Sequence, residues 1–491
     1  MGGGRNAGRG IVWLRRDLRL QDNHAIWAAA TQKSELALAF VLDPVLLQGP
    51  RVGAPLVQAF FSGLQSLRED LRRRNSDLAL LQGDAADELT GLARRIDADT
   101  IYYNLDYEPE AILRDQRVER ELHRAGLRTQ AFCDHVYFAA DEVLRDDGSP
   151  YRVFTPYKRR WLDRRAIDRR QPFPSAEQLE GRLVDPQTIG VTRDAPQPED
   201  WKHRSSAAYP SAGEALALRL LDRFLKERIG RYREQRDIPS VNGTSQLSPQ
   251  LRAGTIGIRT CVERASSLIA RGDSTADLSV MAWISELIWR DFYQMVLATW
   301  PHVTTGPFVA AAEAIAWRSS QTDFEAWCEG RTGIPIVDAG MRQLNATGWM
   351  HNRLRMIVAS FLSKHLLTDW RWGERYFERH LADADVAQNN GGWQWSASTG
   401  TDAAPFFRIF NPVVQSRRFD PDGEFIRAWI PELAKVPSEY VHAPWQMPPL
   451  IAQAANCRIG VEYPAPVVSP EAGRERALAA FAPLMKRRDK A

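Results

Sequence analysis

The chain has 491 residues, with 64 Lys plus Arg against 61 Asp plus Glu, a formal net charge of +3. That length allows about two to four domains of roughly 100–200 residues. So small a charge excludes a polycationic nucleic-acid binder and leaves any such partner to a local patch.

In chain order, residues 1–9 read as a short disordered lead, since Met1-Gly-Gly-Gly-Arg-Asn6 has no apolar signal core and no myristoylation motif. Strand-like runs at Ile11–Leu14, Leu36–Leu42, Leu78–Leu81, Thr100–Asn104 and Arg128–Phe132 then alternate with helical spacing over Gln58–Arg74, Ala85–Ile96 and Glu110–Ala125. This alternation predicts an α/β domain over 10–139, built on a doubly wound parallel sheet. Such sheets bind ligands at the C-terminal ends of their strands. Residues 140–205, rich in Pro, Asp and Arg without an apolar period, predict a connector. Its basic run Tyr157-Lys158-Arg159-Arg160-Trp161 fits a solvated helix face better than a phosphate contact. From 206 to 480, helical periods at Leu216–Ile229, Val280–Thr299, Phe324–Cys328, Val337–Leu344, Asn352–Leu367 and Glu374–His380 predict a larger all-α domain.

Several chemistries drop out. Four cysteines, dozens of residues apart, give neither a disulfide scaffold nor a local zinc or iron–sulfur run, and they fit a reducing compartment. No two of the nine histidines stand at i, i+4, so no metal site is expected. There is no nucleophile elbow and no Walker A loop. No apolar run reaches the ~18–20 residues of a membrane helix. The expectation is a soluble cytoplasmic protein. Tryptophans outnumber tyrosines 16 to 12, and thirteen of them lie beyond residue 200, more indole N–H groups than core filling needs.

Four segments carry chemistry. Between Asp383 and Asp402, amides, glycines and indoles (Asp385, Asn389, Trp393, Trp395) replace an apolar period. They suit either a heteroaromatic ring or a Gly-rich turn packed by tryptophans. In Gly348–Met356, helical spacing puts Asn352, Arg355 and Met356 on one face and turns Arg353 elsewhere, where it could reach phosphate; an ordinary amphipathic helix leading into the core run Ile357–Leu362 is the other reading. In Trp283–Tyr293, the residues Trp283, Glu286, Trp289, Arg290 and Tyr293 form a helical stripe, and a carboxylate between two indoles is poor core material. Gly243–Ser248 strings hydroxyls and N–H groups ahead of a helix, an arrangement that can cradle phosphate or simply cap the helix.

With the opening Trp13-Leu-Arg15-Arg16-Asp17-Leu-Arg19-Leu-Gln-Asp22-Asn23, these segments resemble the photolyase/cryptochrome flavoprotein family over nearly the whole chain, and most of all its bacterial class I cyclobutane pyrimidine dimer (CPD) photolyases. The resemblance implies an α/β antenna domain, an interdomain loop and a helical FAD-binding domain. It places FAD near Tyr232, Thr244, Ser245, Gln246, Leu247, Ser248, Trp283, Glu286 and Arg290. It pairs Arg355 with Asp383, borders the flavin ring with Asp383 and Asp385, and sets Asn389 beside flavin N5. An electron-hopping chain falls on Trp393, Trp370 and Trp317. The lesion pocket falls on Glu286, Trp289, Asn352, Met356 and Trp395, with Arg236, Arg353 and Arg408 on the flanking DNA phosphates.

The implied reaction is light-driven electron donation from excited reduced FAD to a flipped-out dimer in UV-damaged DNA. Glu286 would stabilise the dimer radical anion by hydrogen bonding. The rival within the family is a cryptochrome photoreceptor, or a photolyase for another lesion. Asn389, Glu286 and Met356, and Asn352 with Met356 where a (6-4) photolyase has a histidine pair, argue for the dimer. For the antenna, Asp106 and Glu108 with the Gly254–Arg259 motif resemble the deazaflavin-binding subgroup, although Arg252 stands where that subgroup has lysine. Folate or another flavin is the alternative. A monomer without membrane or obligate protein partner is expected, nucleoid-associated when on DNA.

Overall fold

The computed structural model describes residues 8–190, 196–201, 203, 207, 209–270, 274–405 and 408–488. Residues 1–7 of the expected lead, and parts of the expected connector, lie outside these. Strands Arg9–Leu14 (β1), Glu35–Leu42 (β2), Ala79–Gln82 (β3), Ala98–Asn104 (β4) and Arg128–Phe132 (β5) form one parallel sheet in the order β3-β2-β1-β4-β5. β1 starts inside the stretch expected to be disordered, because Arg9 pairs with Glu35 at 2.7 Å across the β1–β2 register. β1 and β2 are nearly continuous apolar runs, as strands covered on both faces must be. Val12 and Leu14 enter one core with Leu38, Phe61 and Leu64, while Ile11 and Trp13 enter the other with Leu89 and Ile101.

The crossover helices are His24–Gln32, Ala54–Arg72, Ala85–Ile96 and Pro109–Arg124. The first escapes the periodicity reading because Ala25, Ile26 and Ala28–Ala30 are all buried, which blurs a 3.6-residue stripe. Asn23 starts it by accepting from the Ile26 N–H.

By its internal packing the chain forms two compact units: Met1–Arg233 with Ser245–Pro301 and Ala382–Ala387, and Glu234–Thr244 with His302–Leu381 and Gln388–Ala491. The division therefore does not fall at 205/206. The expected connector contains a helix, Phe154–Ile167, whose Phe154, Tyr157 and Trp161 share a core with Phe224, Ile284 and Phe292. Asp291, on the long helix Thr275–Thr299, accepts from the Tyr137 N–H at 3.1 Å, the Phe138 N–H at 3.4 Å and Trp161 Nε1 at 3.0 Å. The second unit includes Gln321–Cys328, Pro335–Thr347, Asn352–Ser360 and Trp370–His380. The single helix expected over 352–367 ends at Ser360 and continues as a π-helical turn, Phe361–His365. Among the described residues no helix is long and apolar enough to cross a membrane, and no cluster could hold a metal ion.

The strand order reverses between β1 and β4, and the peptide leaving β1 carries buried charges into that crevice. Arg15 pairs with Asp115 at 2.9 Å, Asp17 accepts from Asn104 Nδ2 at 2.7 Å, and Arg19 pairs with Asp134 at 2.5 Å. Arg259 joins Asp22 at 2.7 Å and also reaches Asp134. Gly254, at φ +69°, and Gly257 let this peptide approach: a Cβ on either would overlap the Arg16 carbonyl or the Asp22 carboxylate. Burial alone would raise the Asp134 carboxyl, but Arg19 and Arg259 outweigh it and hold it well below the usual range. Its stabilisation is thus present above the unfolded carboxylate value near about 4 and lost as the pH falls through that toward the folded value. Urea denaturation from about pH 5 to about pH 3 should show stability falling in the parent protein and a shallower fall in Asp134→Asn. Parallel pH slopes would contradict this assignment.

Candidate active site

At the C-terminal ends of β1 and β4, Arg16 stands at the centre of a buried cluster in the first unit. It pairs with Asp106 at 3.0 Å, Glu108 at 2.6 Å and Asp385 at 2.5 Å. Arg252 pairs with Glu108 at 3.2 Å and donates to the Ala384 carbonyl. Gln294 donates to Asp385 at 3.2 Å, and Arg290 donates to the carbonyl and ring of His135. The three residues expected at the antenna site, Asp106, Glu108 and Arg252, are therefore together, and two expected at the flavin, Asp385 and Arg290, belong to the same cluster.

Arginine charge decides the electrostatics. Burial works against ionising Asp106 and Asp385, but Arg16 overcomes it and holds both well below the usual carboxylate range. Glu108 goes the other way: burial raises it, and Arg252 and Arg16 do not offset that. Burial, then Arg290 and Arg16, push His135 down to about 3, so it is neutral at pH 7. The recess lined by Arg16, Asp106, His135 and Arg290 has about 20 Å³ of free volume, room for about one water.

Elsewhere in the first unit, Trp283 and Tyr232 are buried around Phe224, at ring separations of 5.2 and 5.8 Å. Before the helix Ser248–Ala253, the half-buried hydroxyls of Ser245 and Ser248 have no hydrogen bond among the described residues, nor does that of Thr244, the residue before Ser245. Leu247, the N-cap, offers no side-chain acceptor to the helix's first N–H groups, and Gln246 turns the chain at φ +55°. A run of uncommitted donors is what a phosphate requires. These residues fit the pyrophosphate and ribityl chain of FAD. Asp383 is buried. On Thr275–Thr299, Glu286 is half-buried, and one turn on, Trp289 lies flat on Phe154 at 3.6 Å and 10°. Phe154 was missed because it lies in the stretch read as connector.

In the second unit, Asn352 is exposed and Met356 half-buried, one turn apart on Asn352–Ser360, while Arg355 Nε donates to the Met350 carbonyl at 2.9 Å. Arg353 is committed to Asp237 at 2.8 Å and lies 4.4 Å over the Phe419 ring. Arg236 is half-buried, and Arg408 is exposed. The amide-rich segment is the helix Val386–Ala397. Tertiary hydrogen bonds hold it against its two glycines: Asn389 Nδ2 donates to the Glu374 carbonyl at 3.0 Å, and Asn390 Nδ2 to Glu374 Oε1 and the Val303 carbonyl, each at 2.8 Å. Trp395 is half-buried, 6.3 Å from Phe410.

Trp393 and Trp370 are fully buried and Trp317 half-buried, a gradation from interior to surface. The Trp393 indole lies against Gly373, one turn along from Trp370, where any Cβ would collide with it. Its Nε1 has no hydrogen-bond partner among the described residues. Trp327, which periodicity marks only as core, meets Trp393 edge-on at 6.0 Å.

With this geometry in place, residues 10–177 match the DNA photolyase family and residues 283–483 the FAD binding domain of DNA photolyase. The chain belongs to the DNA photolyase family, FAD-dependent lyases of light-driven DNA repair. It is 40% identical over 486 residues to the deoxyribodipyrimidine photo-lyase of Vibrio cholerae, covering 95% of this chain and 97% of that protein. Among solved structures it resembles a bacterial class III photolyase from Agrobacterium tumefaciens (TM-score 0.87, 35% identity, 99% of each chain) and a Synechocystis cryptochrome (TM-score 0.84, 28% identity, 98% of this chain and 100% of that one).

The cluster makes a stability prediction. Arg16→Gln leaves Asp106, Glu108 and Asp385 without their shared cation and should lower the unfolding free energy by about 3–5 kcal/mol in urea titration. Arg16→Lys should recover little, because one ammonium cannot replace a fork of donors. Near-native stability of Arg16→Gln would remove the cluster from its central place.

Proposed function

We propose that this enzyme repairs cyclobutane pyrimidine dimers, as a photolyase of the class I type. The observation that carries the reading is the Trp289–Phe154 stack beside Glu286: a fixed aromatic wall one helical turn from a half-buried carboxyl. An aromatic wall suits the apolar flank of a fused pyrimidine pair, and a carboxyl suits the polar edge of its bases.

FAD would be held by Tyr232, Thr244–Ser248, Trp283, Arg290, Arg355, Asp383, Asp385 and Asn389. When bound in its reduced form, FAD would supply the light-driven one-electron chemistry that opens the cyclobutane ring. The chain's own residues do the rest. Trp289 and Trp395 each offer the dimer an aromatic face. Asn352 and Glu286 hydrogen-bond the base edges, and Glu286 does so as a proton donor. Met356 fills the pocket's soft side. Taking the pair out of the duplex costs a few kcal/mol, least where damage has already weakened stacking, so lesion choice begins before chemistry. Arg408, Arg236 and Arg353 contact the flanking phosphates; for Arg353 the phosphate competes with Asp237. Trp317, Trp370 and Trp393 relay electrons that keep the flavin reduced.

In the first unit Asp106, Glu108 and Arg252 form the antenna site, with a deazaflavin favoured over folate or another flavin. The protein acts as a cytoplasmic monomer on UV-damaged DNA.

The test is photorepair. With reduced enzyme, UV-irradiated oligothymidylate and blue light, thymine absorbance should recover against a dark control. Glu286→Ala and Trp289→Ala should each lower the repair rate at least tenfold, a loss of about 1.4 kcal/mol or more of transition-state stabilisation. A flavin that photoreduces normally while no dimer splits would favour a cryptochrome-type receptor.

A further inference from the structure

Lys364 lies in the π-helical turn Phe361–His365, and its side chain is buried. No carboxylate pairs with it among the described residues. Its amine donates to Ser398 Oγ at 2.7 Å and to the Arg408 carbonyl at 3.3 Å, with the Phe481 ring 5.9 Å away. Burial, unopposed by any acid, pushes the amine down to about 7. A buried lysine without a counter-charge destabilises the folded state, and a methionine of similar length would fill the space without that cost. Its presence calls for a role other than stability.

Its two acceptors supply that role. Ser398 follows the helix that carries Trp395 and turns the chain at φ +62°. The backbone beyond it folds back on that helix end: the Thr399 N–H donates to the Gln394 carbonyl at 3.0 Å and the Ala404 N–H to the Trp395 carbonyl at 3.1 Å. Arg408, where this loop ends, is exposed. One amine thus joins Ser398, just past the helix that carries Trp395, to the backbone of Arg408.

We propose that Lys364 is a positioning residue for DNA recognition: by tying Ser398 to the Arg408 backbone it holds a base-contacting indole and a phosphate-contacting guanidinium in fixed register before DNA arrives. This rests on the reading of Trp395 and Arg408 as DNA contacts. Such preorganisation acts on affinity and not on bond breaking.

The test uses full-length holoenzyme and a duplex carrying one thymine dimer. Lys364→Met should raise the dissociation constant about tenfold, leave repair per photon at saturating DNA unchanged, and keep or raise the melting temperature. Ser398→Ala, which removes one tie and retains the lysine, should weaken binding by about two- to threefold. Affinity unchanged in both variants overturns the proposal. So does affinity lost only in step with melting temperature, the mark of a purely structural lysine. Failure of the parent enzyme to bind the lesion duplex, or unchanged binding by Arg408→Ala, would instead remove the DNA-contact reading and the proposal with it.

Discussion

Burying Arg15 and Arg19, and nearly burying the Arg16 side chain, in one short peptide costs free energy that only opposite charge and well-placed acceptors can offset. The carboxylates that pair with those arginines come from elsewhere in the chain, although Arg19 also donates to the nearby Asp22 carbonyl. Asp115 follows β4, Asp134 follows β5, Arg259 brings a second cation to Asp22 and Asp134, and Asp385 arrives from a segment more than 360 residues later. Removing any one member leaves an uncompensated buried charge, so the cluster commits distant segments to one arrangement. It explains why Ser245–Pro301 and Ala382–Ala387 group with the sheet in one compact unit. It also explains why Gly254 and Gly257 stand where they do.

The long helix Thr275–Thr299 passes that constraint on to the chemistry. Within a few residues of one another, Asp291 gathers three donors from the segment after β5, Arg290 binds His135, and Trp289 lies on Phe154. The carboxyl and the indole proposed to contact the dimer are thereby mounted on an element whose other faces are locked. In the second unit the helix Val386–Ala397 is made in the same way. Its glycines and asparagines have poor helix propensity, and side-chain amides bonded to Val303 and Glu374 compensate.

The sheet was legible in the sequence because parallel strands are continuous apolar runs, and all five predicted runs lie within two residues of the strands at both ends. Helices with one buried stripe were legible too. His24–Gln32 was not, being apolar nearly all round, nor was the core role of Phe154, Tyr157 and Trp161, whose stripe is hidden among arginines. The motif residues Glu286, Trp289, Asn352 and Asn389 could be picked out as unlike core. What no local pattern could give was pairing: that Arg353 is held by Asp237, that Arg16 draws together Asp106, Glu108 and Asp385, or that Trp327 abuts Trp393. Those contacts join residues far apart in sequence and depend on the assembled fold.

On a scaffold of the photolyase family, the stacked indole beside a carboxyl is proposed to serve the cyclobutane dimer in particular. The most direct test of this proposal compares two oligonucleotides of the same sequence under blue light with reduced enzyme, one carrying a single thymine dimer and the other a single (6-4) photoproduct, with the products separated by chromatography. Restored thymines are expected from the first and unchanged starting material from the second. Repair of the second alone, or of neither, would contradict it.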